Sequence, residues 1–151
     1  MANEAYRAVF LRVHPTGKMV LSLTTDADGD EGRYAQLVAE ELGVPALDVK
    51  VVPADTNRFG TGHGYNTGPS PGAPAAIVEA TGKIMAKARL LAGVALECPA
   101  DSLTWRDGAF VSGADATRSQ TIADVALYAH GSGELPPGVE GGLDAQTVYR
   151  D

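Results

Sequence analysis

The sequence predicts a single α+β domain in which about three helices pack on a mixed or antiparallel sheet. Three observations lead to this prediction. Segments near the N-terminus alternate apolar and polar residues, longer segments space their apolar residues as helices do, and an Asp-Gly pair lies between two short apolar segments in the second half. A length of 151 residues fits one domain, so residues 1–151 are interpreted as one unit.

The N-terminal half is predicted to contain a β-hairpin, a helix and a third strand. These elements are expected over residues 5–14 and 19–25, then 31–42, then 49–52. Asp28 and Glu31 have the spacing of a capping box for the helix. Gly43, with Pro45 just beyond it, marks the expected end of that helix.

The C-terminal half is predicted to contain a long helix, a hairpin, a short helix and a last strand. The expected ranges are 75–96, 102–111, 119–128 and 145–149. In the long helix, Glu79, Lys83 and Lys87 form a narrow polar stripe on a rod that is otherwise expected to be buried. Trp105 and Phe110 flank the hairpin turn at residues 107–108 and are interpreted as packing residues.

Composition and charge exclude several classes of function. The net charge is −7 and the basic residues do not cluster, so nucleic acid is not expected as a partner. One cysteine, Cys98, excludes an intrachain disulfide and a cysteine-held metal cluster, and three scattered histidines predict no metal site. The N-terminus lacks the pattern of a signal peptide, and charges interrupt the longest apolar segment. A cytoplasmic protein without a membrane span is therefore expected.

A glycine- and proline-rich loop over residues 58–72 is the most suggestive segment. Its glycines would let the backbone approach a ligand, and the helix that follows would favour an anion. The alternative is a flexible surface loop. A second Gly/Pro-rich segment, the tail over residues 131–142, precedes the last predicted strand. Neither a phosphate-binding P-loop nor a dinucleotide fingerprint is present.

Acidic residues before the first helix form a second candidate site. This cluster could bind a hard cation or act in acid/base chemistry, although a solvated turn with a helix cap is the better explanation. His63 within the glycine loop could transfer a proton. The acid/base candidates are Asp28, Asp30, Glu31, His63 and Tyr65.

The order and spacing of several segments resemble the molybdopterin-binding large subunit of the xanthine dehydrogenase/aldehyde oxidase family, the molybdenum hydroxylases. Residues 36–56 resemble a family segment with Gln, a short helix, Leu-Gly-Val-Pro, a strand and Gly-Asp-Thr, which here reads Ala54-Asp55-Thr56. A glycine loop, an Ala-rich helix, residues 103–111 and residues 135–144 continue the resemblance. It covers residues 5–149, which is nearly the whole chain.

The resemblance implies a molybdopterin cofactor, which in this family is often the cytosine dinucleotide, and hydroxylation of a small aldehyde or N-heterocycle. The family's catalytic Glu lies in a region that this chain does not include, and iron–sulfur clusters and flavin belong to other segments. Where the family has Gly-Gln-Gly, this chain has Asp28 with Gly29 retained. Where the family has a Gly-Ser segment, it has two prolines around Ser70. The implied cofactor-binding residues are Asp28, Gly29, Gly62, Gly64, Gly68 and Ser70.

Three functions are consistent with these residues. The chain is expected to be a small subunit of a hydroxylase whose large chain is split, so that other subunits complete the cofactor site. It would then be one chain of an oxidoreductase and not a complete enzyme. The first alternative is a cofactor-free relative that acts alone on a small molecule, as a cyclase or isomerase does. The second is a non-catalytic binding or assembly partner.

Overall fold

The computed structural model describes residues 7–24, 29–52, 71–131 and 135–149. Its strands are β1 (Ala8–Val13), β2 (Met19–Leu23), β3 (Val49–Val52), β4 (Thr104–Arg106), β5 (Ala109–Val111), β6 (Ser119–Thr121) and β7 (Leu143–Val148). Its α-helices are α1 (Glu31–Leu42), α2 (Ala73–Leu96) and α3 (Ile122–His130). Within the described ranges, none of the helices is long and apolar enough to cross a membrane.

The strands form two sheets. The larger sheet has the order β3-β2-β1-β7, in which β1 is antiparallel to both neighbours and β2 runs parallel to β3. The smaller sheet, β4-β5-β6, is antiparallel throughout. The predicted α+β class, with a mixed sheet and three helices, is therefore confirmed.

The core lies between the helices and one face of the larger sheet. Val9, Leu11 and Val13 alternate along β1 with exposed residues, and all three are fully buried. They pack in one cluster with Ile84 of α2 and Val125 of α3. The opposite face of the sheet carries Phe10 and Arg12, which are exposed, so the helices cover only one side of the sheet.

The prediction of a helix from residue 119 is wrong at its start. Residues 119–121 form β6 and pair with β5, because Thr121 has extended backbone angles and lies opposite Ala109. The helix then begins at Ile122 behind a complete capping box. Asp124 N–H donates to the Thr121 hydroxyl at 3.1 Å, and Thr121 N–H donates to the Asp124 carboxylate at 3.0 Å.

The hairpin of β4 and β5 fastens the ends of α1 and α2 together. Gly43, which ends α1 with a φ of +67°, lies so close to the hairpin that a Cβ there would stand 2.6 Å from the Gly108 Cα. The Arg89 guanidinium of α2 lies over the Phe110 ring, 5.2 Å from its centre, and donates to the Leu103 carbonyl at 2.7 Å. The two helices also pack against each other. Because the hairpin contacts the carboxyl-terminal part of each, they run in the same general direction.

Candidate functional site

The candidate site is the edge of the larger sheet at which β2 and β3 end. Because these two strands are parallel neighbours, their carboxyl ends lie together. The two segments singled out in the sequence leave the sheet at this edge, one toward α1 and the other toward α2. Ligands commonly bind beyond the carboxyl ends of parallel strands. Topology therefore places at one edge the two strand ends from which the predicted cofactor-contacting segments continue.

Only part of each segment is described. Gly29, Asp30 and Glu31 lie at the start of α1, and Pro71 and Gly72 lie at the start of α2. The remaining predicted site residues lie outside the described residues: Asp28, Gly62, His63, Gly64, Tyr65, Gly68 and Ser70.

The start of α1 is acidic and has no side-chain cap among the described residues. Asp30 occupies the N-cap position, yet its carboxylate makes no hydrogen bond to the first turn. It lies instead 3.8 Å from the Arg33 guanidinium. The capping box predicted from Asp28 and Glu31 is therefore not the arrangement found, because the helix begins behind Asp30. Gly29 precedes it with a φ of +85°, a conformation that favours glycine.

The start of α2 is uncharged. Gly72 occupies the N-cap position and has no side chain with which to cap the helix, and Pro74 in the first turn has no backbone N–H. The first helical hydrogen bond joins Ala76 N–H to the Gly72 carbonyl at 3.1 Å. The first-turn N–H group of Ala75, an exposed residue, therefore receives no side-chain cap from Gly72, whereas Ala73 is fully buried.

The contrast with α3 shows what this arrangement can do. The start of α3 lies on the smaller sheet and is closed by its own capping box, whereas the N-cap residues of α1 and α2, Asp30 and Gly72, make no side-chain cap. Uncapped first-turn N–H groups and the helix dipole attract anions such as phosphate. The residues at the start of α2 fit a phosphate group, and the carboxylates at the start of α1 do not.

The acid/base candidates are only partly placed. Glu31 is exposed, and the Asp30 side chain remains 45% exposed although it is paired with Arg33. Both carboxylates are therefore accessible to solvent. An open cavity of about 620 Å³ lies elsewhere, on the outer face of the sheet around Phe10, Arg12 and Asp144. Within residues 7–24, 29–52, 71–131 and 135–149, no three His, Cys, Asp or Glu side chains come together to hold a metal ion.

The fold defines an α+β module in which the N-cap residue of α2, Gly72, supplies no side-chain cap. A family model described as the molybdopterin cofactor-binding domain matches residues 1–151, and the chain belongs to that family. It is a segment of a molybdopterin-binding large subunit. The family resemblance seen in the sequence is thereby confirmed.

The relatives are molybdenum enzymes with much longer chains. The chain is 37% identical over 142 residues to the carbon monoxide dehydrogenase large chain of Hydrogenophaga pseudoflava, and 34% identical to that of Afipia carboxidovorans. In each case the match covers 92% of this chain but only 17% of the relative.

Experimental structures of such enzymes contain the same fold. Cu,Mo-CO dehydrogenase superposes with a TM-score of 0.81 at 32% identity, over 96% of this chain and 18% of that one. Quinoline 2-oxidoreductase from Pseudomonas putida 86 superposes with a TM-score of 0.72 at 27% identity, over 97% of this chain and 19% of that one. These relatives are molybdenum hydroxylases, and their names do not point to xanthine as a substrate.

Sequence reasoning expected the helix after the glycine loop to favour an anion, but it did not place the first turn of that helix correctly. It placed the start of this helix at residue 75, but the helix begins at Ala73. It named loop residues as cofactor-binding and named no residue of the first turn. Pro74 was the available signal, because proline favours the first turn of a helix.

Proposed function

We propose that this chain supplies part of the molybdopterin-binding site of a molybdenum hydroxylase whose large chain is split between subunits. The start of α2, which follows the carboxyl end of β3 along the chain and where Gly72 supplies no side-chain cap, is the observation that carries this proposal. The chain spans less than one fifth of the relatives' large chains. Other polypeptide must therefore complete the cofactor site and supply the reaction chemistry.

The chain's own role is to bind and orient an anionic group. The N–H group of the exposed residue Ala75 would donate a hydrogen bond to a phosphate of molybdopterin, for which we propose the cytosine dinucleotide form. Glycines of the adjoining loop would let the backbone approach the same ligand. When bound, the cofactor supplies the oxidation chemistry. The residues proposed to border it are Gly29, Gly62, Gly64, Gly68 and Ser70.

The substrate is proposed to be a small molecule such as an N-heterocycle or an aldehyde. The name of quinoline 2-oxidoreductase supports an N-heterocycle as the substrate. The name of the carbon monoxide dehydrogenases indicates that related enzymes also act on other substrates. Partner subunits would carry the base and the electron acceptors.

Asp28 provides a direct test, because the resembling family has glutamine there. An anionic side chain beside an anionic cofactor weakens binding, since like charges repel. Asp28→Gln is therefore expected to raise the molybdenum bound per purified assembly roughly threefold to tenfold, as about 1 kcal/mol of relieved repulsion would do. Molybdenum is measured by mass spectrometry of the assembly under subsaturating supply.

Asp101→Gln is the matched control, since it removes the same charge at a distant exposed position. An equal rise in the control would assign the effect to net charge. An unchanged or lower molybdenum content in Asp28→Gln alone would contradict a cofactor contact at this position.

The acidic start of α1 favours one other function, a cofactor-free enzyme acting on a small molecule. Asp30 and Glu31 are accessible there, and Asp28, His63 and Tyr65 would complete its acid/base set. Under that function Asp28→Gln would remove a reacting carboxylate and lower turnover, with no molybdenum in the preparation. The same variant therefore separates the two functions.

A further inference from the structure

The outer side of α2 carries a row of apolar and small residues at intervals of four. This row, here called the α2 ridge, consists of Val78, Gly82, Ala86, Leu90 and Val94. Val78, Leu90 and Val94 are 40%, 41% and 37% exposed. Ala86 is also exposed, and a Cβ added at Gly82 would meet no described atom within 4 Å. The ridge runs for about 24 Å along the helix, at 1.5 Å per residue.

The opposite side of α2 is equally apolar. It buries Ile77, Ala80, Ile84, Ala88 and Leu91 against the rest of the core. The helix is thus apolar on both sides, a composition typical of helices that are surrounded by protein. The sequence predicted a buried rod with a narrow polar stripe, whereas the structure leaves the ridge exposed.

Two of the four charged residues of α2 already have partners elsewhere. Lys83 donates to the Gln146 carbonyl of the edge strand β7 at 2.7 Å, and Arg89 donates to the Leu103 carbonyl. Glu79 and Lys87 lie in the neighbouring row of side chains, so neither of them interrupts the ridge. A partner would therefore meet an apolar line with charged residues only along its margin.

The spacing of the ridge specifies what kind of element fits it. Side chains four residues apart form the ridges that pack into the grooves of a second helix at about −50°, with axes roughly 8–10 Å apart. Gly82 and Ala86 in the middle allow a close approach, and larger side chains at both ends extend the contact.

We propose that the α2 ridge is the docking face for a helix from the part of the molybdenum-binding large chain that lies outside these 151 residues. This inference rests on the proposed function. It is supported by coverage, because 96% of this chain superposes on only 18% of Cu,Mo-CO dehydrogenase, leaving more than four fifths of that chain to pack around such a module. The docking helix should carry small or apolar residues at the contact and complementary charges toward Glu79 and Lys87.

The test uses the assembly purified from the source cell through a tagged copy of the full chain. A photo-crosslinking residue replaces Ala86 in one preparation, and Gly82→Leu is introduced in another. The expected crosslink joins position 86 to a helix of the remaining large-chain sequence, identified by peptide mass spectrometry. Gly82→Leu is expected to reduce the co-purified large chain at least tenfold. The melting temperature of the isolated chain should not fall, because leucine at position 82 has open space.

Leu127→Glu serves as the control, since it also alters an exposed apolar residue on a helix, α3. Loss of association in this control but not in Gly82→Leu would place the interface on α3 and overturn the proposal. A crosslink from position 86 to a second copy of this chain would likewise overturn it. Retained association in Gly82→Leu would show that the α2 ridge is not the docking face, but it would not contradict the proposed function. Absence of any large-chain sequence with the wild-type chain would contradict both.

Discussion

Ala75→Glu is expected to stabilise the chain slightly while lowering its loading with the molybdenum cofactor about tenfold or more. A carboxylate in the first turn of a helix interacts favourably with the helix dipole by about 0.3–1 kcal/mol. The same charge repels a phosphate bound there, by roughly 3 kcal/mol at 5 Å with an effective dielectric constant near 20. Ala75 is exposed in the first turn of α2, so the substitution leaves the core intact.

Thermal unfolding and molybdenum content measure the two effects separately. Ala75→Gln is the matched control, because it has nearly the same size without the charge, and it should load close to the wild-type level. If Ala75→Glu loads as well as Ala75→Gln, the start of α2 is not the anion site. A fall in both stability and loading would indicate that the variant simply disturbs the fold.

Phe110→Ala is expected to lower the free energy of unfolding by about 3–5 kcal/mol, the usual cost of removing a buried aromatic ring. Phe110 is fully buried, and its ring centre lies 4.7 Å from that of Trp105. It also supports the Arg89 guanidinium of α2. Since this hairpin fastens α1 to α2, cofactor loading should fall as well, although Phe110 is remote from the edge.

Chemical denaturation of the isolated chain measures this loss. Val111→Ala, on the same strand but only half-buried, should cost much less and keep its loading. An unfolding free energy in Phe110→Ala that is within about 1 kcal/mol of the wild type would contradict the fastening role of the hairpin.

Local patterns were sufficient to predict most elements of the fold. Alternation of Val9, Leu11 and Val13 predicted β1, and the Asp107-Gly108 turn predicted the β4–β5 hairpin, both of which are confirmed. Gly43 was expected to end α1, and it does so in the left-handed conformation. These features depend on neighbouring residues, so they can be read from the sequence.

Long-range pairing could not be read in the same way. The parallel pairing of β2 with β3 and the pairing of β6 with β5 join strands that are separated by further residues, and no local pattern encodes them. The order in which α1 and α2 follow the paired strands β2 and β3 becomes meaningful only once that pairing is known. For the same reason the exposed position of Ala75 in the first turn of α2 emerged only from the fold.

The site residues were predicted chiefly through the family resemblance. The glycine loop alone suggested an anion site but could not distinguish it from a flexible surface loop. Of the predicted cofactor-binding residues, only Gly29 lies in the described part of the chain. The assignments of Asp28, Gly62, Gly64, Gly68 and Ser70 therefore stay predictions.

The most direct test of the central proposal is a gentle purification of the native chain from its source cell, followed by mass and molybdenum analysis. The proposal predicts that the chain comes with the remaining large-chain sequence and with molybdenum in a stoichiometric amount. A folded chain that is isolated alone and free of molybdenum would contradict it, and would favour the cofactor-free enzyme.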